Sequence, residues 1–188
     1  MKTSDVDILI VPGLGGSGPD HWQTRWERQL STARRVHQPD WDAPDREAWA
    51  DRLAQAVAAS TRPVVLVAHS LGIITAAHAA PRIAGQVAGA FLVAVPDIDE
   101  PERMPEADLE YGPLPREPLP FPSVLIASRT DPYCDFARAE SIAQAWGAAF
   151  VDAGDSGHLN TASGFGPWPE GLMRFAGFLK ALGPVPAR

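Results

Sequence analysis

Val64-Val65-Leu66-Val67-Ala68-His69-Ser70-Leu71-Gly72 is the stretch that decides the fold. Its first five residues are apolar and mostly β-branched, which fits a strand covered on both faces, as in a parallel sheet. The run then passes through two polar residues, His69 and Ser70, straight into a helical pattern over residues 71–80, ahead of Pro81. A strand that turns directly into a helix is half of a βαβ unit, so the chain reads as an α/β domain.

The same alternation extends in both directions. Strand patterns fall at residues 6–11, 34–38, 89–95, 123–128 and 148–152, and helical patterns at 19–31, 44–59, 135–146 and 167–182. No repeat or linker divides the chain, and 188 residues suit one domain, 1–188, built on a doubly wound sheet. In such sheets ligands sit at the carboxyl ends of the strands, so the segments just after each strand carry the functional information.

Composition narrows the classes. The chain is 45% hydrophobic and 21% charged, which excludes low-complexity disorder. Its net charge of -7 argues against nucleic-acid binding, which calls for a basic stripe. No apolar run approaches the ~20 residues of a membrane span, and the N-terminal residues lack the apolar core of a signal peptide. The single cysteine, Cys134, permits no internal disulfide and no multi-cysteine metal site. A cytoplasmic location, without metal or cofactor, is the expectation. Residues 97–117 hold eight acidic residues against two arginines, nearly the whole imbalance, and the proline-rich stretch to Pro122 reads as a long, irregular, solvated loop.

Five segments follow strands. The first is Pro12-Gly13-Leu14-Gly15-Gly16-Ser17-Gly18. Gly13, Gly15 and Gly18 satisfy G-x-G-x-x-G, and Asp40 lies 22 residues beyond Gly18, the outline of a dinucleotide site. Pro19 and Asp20 weaken that reading, because a carboxylate at a helix start competes with a pyrophosphate. The loop also reads as a plain turn, or as one that aims backbone N–H groups at an oxyanion. The second segment, Ala68-His69-Ser70-Leu71-Gly72, has the form of the nucleophile elbow G-x-S-x-G with alanine in the first glycine's place. Ser70 alone reads equally well as a helix N-cap, and His69 as a packed neighbour. Asp131 in Ser128-Arg129-Thr130-Asp131-Pro132-Tyr133 alone is an ordinary turn opener. His158, in the last segment among small polar residues, alone could be a plain surface histidine.

Together these segments say more. Ser70, Asp131 and His158 stand in the order Ser–Asp–His, each after its own strand, as in α/β-hydrolases. A serine hydroxyl needs a base to become a useful nucleophile, and the base needs a partner that fixes its tautomer. His158 and Asp131 fill those roles, with the N–H groups of Leu71 and Leu14 as oxyanion donors. Asp97, after the fourth strand, is the rival acid, although as the opening of the acidic loop it also reads as a solvated charge. His21, Trp22, Asn160 and Trp168 are candidates to line the pocket, with capping and packing as their competing roles.

The chain resembles the small serine hydrolases typified by retinoblastoma-binding protein 9 and its bacterial relatives. The matching stretches run from Val11 to Trp22 (V-P-G-L-G-G-S-G-P-D-H-W), Gln38 to Trp41 (Q-P-D-W), A-H-S-L-G, S-R-T-D-P-Y, G-H-L-N and Ser163 to Gly171 (S-G-F-G-P-W-P-E-G). The resemblance implies a compact α/β-hydrolase fold: a three-layer α/β/α sandwich around a six-stranded, mostly parallel sheet of order 2-1-3-4-5-6, with no separate cap domain. It also implies a triad at Ser70, Asp131 and His158. The L-x-C-x-E motif for retinoblastoma protein is absent around Cys134, so no such partner is expected. The expected activity is hydrolysis of small carboxylic esters (or amides or thioesters) through an acyl-serine. The alternatives are a dinucleotide-binding protein using the glycine loop and a non-catalytic interaction module on the same fold.

Overall fold

The computed structural model describes residues 1–104 and 111–183. Six strands, β1 (Asp7–Val11), β2 (Ala33–Arg35), β3 (Val64–His69), β4 (Val87–Val93), β5 (Ser123–Ala127) and β6 (Ala149–Asp152), form one sheet of order β2-β1-β3-β4-β5-β6. All five pairings are parallel, where the sequence suggested a mostly parallel sheet. Five helices connect them: α1 (Trp22–Gln29), α2 (Arg46–Ala58), α3 (Leu71–Ile83), α4 (Phe136–Trp146) and α5 (Pro169–Ala181).

Strand alternation divides the core in two. Leu9, Val11, Leu66 and Ala68 face α2, α3 and α4, burying Trp49, Leu53, Ile142 and Trp146. Ile8, Ile10, Val65 and Val67 face α1 and α5, burying Trp22, Trp26, Phe175 and Leu179. The result is an α/β/α sandwich whose central strands are apolar on both sides, which is why they read as unbroken apolar runs.

Three boundaries differ from the sequence reading. β2 spans Ala33–Arg35, shorter than and displaced from residues 34–38, because an edge strand with half-buried residues carries little apolar signal. α1 begins at Trp22, two residues after the Pro19-Asp20 pair, with the His21 ring accepting a hydrogen bond from Gln23 N as its cap. α3 runs through Pro81 to Ile83. A proline so near the C-terminal end removes only one late hydrogen bond.

Asp97, which opens the acidic segment after β4, is less solvated than expected. Asp97 is 2% exposed and Arg138 of α4 donates to both its oxygens, at 2.8 and 3.2 Å. Arg138 also reaches Asp99, and Arg103 joins Glu100 to Asp135. Further on, Tyr111, Leu114 and Phe121 are buried in the helix-α3 side of the core. Glu106, Asp108 and Glu110 of the acidic count lie outside the described residues. Among the described residues no helix is long and apolar enough to cross a membrane.

Candidate active site

Sheet order reverses at β1, with β2 on one side and β3 on the other, so the loops after β1 and β3 open a crevice between them. After β3 the chain turns sharply. Ser70 adopts φ 53° and ψ -129°, a strained conformation for a non-glycine residue, and its N–H donates to Val93 O at 3.1 Å. Such strain persists only where the surroundings over-determine it, and here they do. A Cβ on Gly72 would lie 2.3 Å from Val11 O and 2.5 Å from Pro12 O. One on Gly13 would lie 2.8 Å from Ser70 Cβ and 3.0 Å from Leu71 N. The two glycines let the loop after β1 lie directly against the elbow.

That contact bears on the readings of the glycine loop. Gly13 is pressed on Ser70 and Leu71, and Asp40 accepts hydrogen bonds from Asp42 N (2.9 Å) and Ala43 N (3.1 Å) in a turn of its own. Two of the four residues in the dinucleotide outline, Gly13 and Asp40, are thus engaged in elbow packing and in a local turn. Among the described residues no backbone carbonyl takes the N–H of Leu14 or Leu71. Ser70 stands at the N-cap position of α3, yet its hydroxyl makes no capping hydrogen bond. The capping alternative thus has no contact to support it.

The loop is held from beneath by a buried network. Gln23, fully buried, accepts from Ser17 Oγ at 2.6 Å and donates to Val11 O and Val67 O, bridging the ends of β1 and β3. Arg35 and Thr24 both donate to Ser17 O.

Asp131 and His158 meet after β5 and β6. His158 Nδ1 lies 2.9 Å from each Asp131 oxygen, and the two side chains are 6% and 4% exposed. A carboxylate only accepts, so Nδ1 carries the proton and Nε2 is the free ring nitrogen. Tyr133 N donates to Asp131 Oδ1, and the Tyr133 ring meets the imidazole edge-on at 4.5 Å. The two loops are stitched together by Ser128 and Thr130, whose hydroxyls accept from Ser156 N and Gly157 N. Leu159, next to the histidine, has φ 50°. Its strained turn is fastened by Trp22 Nε1, which donates to Leu159 O at 2.9 Å, and by Ser163 Oγ, which accepts from His158 N.

Ser70 and His158 open onto one cavity of about 660 Å³. The glycine loop forms one wall, and Met104, Tyr133 and Thr161 contribute to the rest. Of the four candidate lining residues, His21 and Asn160 face the cavity. Trp22 and Trp168 do not line it. They lie edge to face in the α1–α5 core, with Gly171 against the Trp168 ring. His21 and His69 are both buried. Burial, reinforced by Arg35, pushes the His21 imidazole down to about 4, and burial drives His69 well below the usual histidine range. Both are neutral near pH 7.

Asp97, the rival acid, is committed to Arg138, and its main-chain N–H to Tyr133 O. Sequence reading missed this pairing because Arg138 lies 41 residues downstream. It also passed over Asp42, Met104 and Tyr133 as cavity residues and Gln23 as a strut. Only Tyr133 stood in a motif already quoted. Cys134 is buried, and burial raises its thiol to about 12, with Asp97 and Asp131 adding to the effect. That disfavours thiol chemistry.

The architecture and the strained serine turn at the end of β3 are those of the α/β hydrolases. The serine hydrolase family matches residues 8–177, and the chain belongs to it. This agrees with the resemblance drawn from its motifs. The crystal structure described as a YdeN-like hydrolase from Pectobacterium atrosepticum is 36% identical, with 97% of this chain and 95% of that one covered and a TM-score of 0.86. The ydeN gene product of B. subtilis is 22% identical over 92% and 98% of the two chains, with a TM-score of 0.76. A thermophilic esterase from Thermogutta terrifontis is 17% identical over 94% and 90%, with a TM-score of 0.68. The last two show a shared fold alone. Among curated proteins the chain has no match.

Proposed function

We propose that this hydrolase cleaves small carboxylic esters, with amides or thioesters as related substrates, through an acyl-serine formed on Ser70. The observation that carries the reading is the His158–Asp131 pair. With Nδ1 engaged at 2.9 Å by both carboxylate oxygens, the basic nitrogen is Nε2, on a ring that shares the cavity with an uncapped, strained serine.

In this reading Ser70 Oγ attacks the carbonyl carbon while its proton passes to His158 Nε2. The tetrahedral oxyanion is held by the N–H groups of Leu71 and Leu14, each such donor being worth ~10²–10³ in rate. The C–O bond to the alcohol breaks, and His158 returns the proton to the departing oxygen. Water then attacks the acyl carbon with His158 again as base, and the acid leaves as Ser70 regains its proton. Asp131 stays ionised, fixing the tautomer and stabilising the imidazolium. Small substrates suit the cavity's size, and the esterase of T. terrifontis shares the fold.

Steady-state hydrolysis of p-nitrophenyl acetate and butyrate tests the assignment. Asp131→Asn lowers kcat by about 10³–10⁴ by allowing the wrong tautomer, and His158→Ala lowers it at least as far. Near-normal kcat in Asp131→Asn rules out Asp131 as the orienting acid.

A further inference from the structure

The cavity is electrostatically one-sided. Among the described residues that line it, Asp42 is the one drawn from Asp, Glu, Lys and Arg. The lining histidines His21 and His69 are uncharged near neutral pH because they are buried. In the acidic segment after β4, the charges of Asp97, Asp99 and Glu100 are paired with Arg138 and Arg103.

Asp42 is also held in place. The Asp40 carboxylate accepts from the main-chain N–H of Asp42 and of Ala43, fixing the turn. On the other side Trp41 O accepts from Gly15 N at 2.8 Å, and the Trp41 ring lies over Gly16 and edge-on to Trp49 at 5.6 Å. The turn is thereby docked on the glycine loop that forms the cavity wall. Among the described residues nothing pairs with the Asp42 carboxylate itself.

We propose that Asp42 is a specificity-determining residue, selecting substrates that carry an ammonium-type cation close to the scissile carbonyl and rejecting anionic ones. This rests on the reading of Ser70 and His158 as the hydrolytic pair. A carboxylate held in the lining of the cavity attracts a cation bound beside it without a rearrangement of the protein. Its exposure to water keeps the effect modest.

Esters matched in shape test this. In one series the alcohol is varied, with acetylcholine against 3,3-dimethylbutyl acetate. In the other the acyl group is varied, with p-nitrophenyl esters ending in trimethylammonium, tert-butyl or carboxylate. At low ionic strength the cationic member of at least one series exceeds its neutral isostere in kcat/KM by about fivefold. About 0.5 M salt shrinks the ratio towards one. Asp42→Asn brings the ratio to about one, and Asp42→Lys inverts it in favour of the carboxylate ester. A ratio near one in both wild-type series overturns the proposal, as does a ratio that Asp42→Asn leaves unchanged. The hydrolase reading fails separately, if the neutral esters are not cleaved or are cleaved equally by Ser70→Ala.

Discussion

His69 Nε2 lies 2.9 Å from the main-chain carbonyl of His158, so the residue before the elbow serine holds the loop that carries the imidazole. The carbonyl can only accept, which places the His69 proton on Nε2. Its neutral state, enforced by burial, leaves Nδ1 without a proton. The strand that presents the serine thus also sets the height of the histidine, a coupling between two sites 89 residues apart.

His69→Phe therefore keeps an aromatic ring and loses the donor. Leaving His158 O unpaired costs about 1–3 kcal/mol of stability. It also lets the imidazole drift, which lowers kcat for small esters by about tenfold with little change in KM. His69→Gln, which returns an N–H at similar reach, recovers most of the kcat. Equal behaviour of the two variants in kcat would mean that the residue acts through packing alone.

Arg138 and Asp97 allow a cleaner separation of structure from chemistry. Arg138→Met strands a carboxylate that is 2% exposed, and urea denaturation shows a loss of about 3 kcal/mol. Asp97→Asn is destabilised as well, yet keeps kcat within about threefold of wild type at temperatures where it is folded. A kcat collapse in Asp97→Asn, with Asp131→Asn active, would exchange the roles of the two acids.

Acid sensitivity follows from the buried histidines. His21 titrates near its ordinary value of 6.5 when unfolded and at about 4 when folded. Between these values the unfolded chain binds more protons, so stability is full above about pH 6.5 and falls as pH drops through the window to about 4. The loss attributable to His21 is about 3 kcal/mol, and His69 acts in the same direction. His21→Asn keeps a side-chain acceptor for Gln23 N and removes one titration. Its stability between pH 7 and 4 declines less steeply than that of wild type in urea melts. Parallel pH profiles for the two proteins would contradict this origin.

The legible parts of this protein are those whose signals are local. Residues 64–68 and 123–127 read as strands because both faces are buried, and the Ser70 turn was visible because its small neighbours are adjacent in sequence. Gly72 and Gly13 show what lay beyond reach. Each is a glycine because backbone or side-chain atoms of another segment occupy the place of a Cβ, and those atoms are about 60 residues away in the chain. A separation of 41 residues likewise hid the burial of Asp97, whose charge looked solvated until Arg138 was beside it. Trp22 and Trp168 stood within quoted motifs, yet periodicity does not say that both rings turn into the α1–α5 core. Asp42 carried no motif and became visible only once the turn of residues 40–43 docked on the glycine loop.

The central claim is that Ser70 is the nucleophile, and covalent labelling tests it most directly. After treatment with an uncharged fluorophosphonate, intact-mass and peptide mass spectrometry should find one phosphonyl adduct, on the peptide containing Ser70. The adduct should be absent from Ser70→Ala and strongly reduced in His158→Ala. Labelling of Ser70→Ala at the wild-type level, or an adduct elsewhere with Ser70 unmodified, would contradict the account.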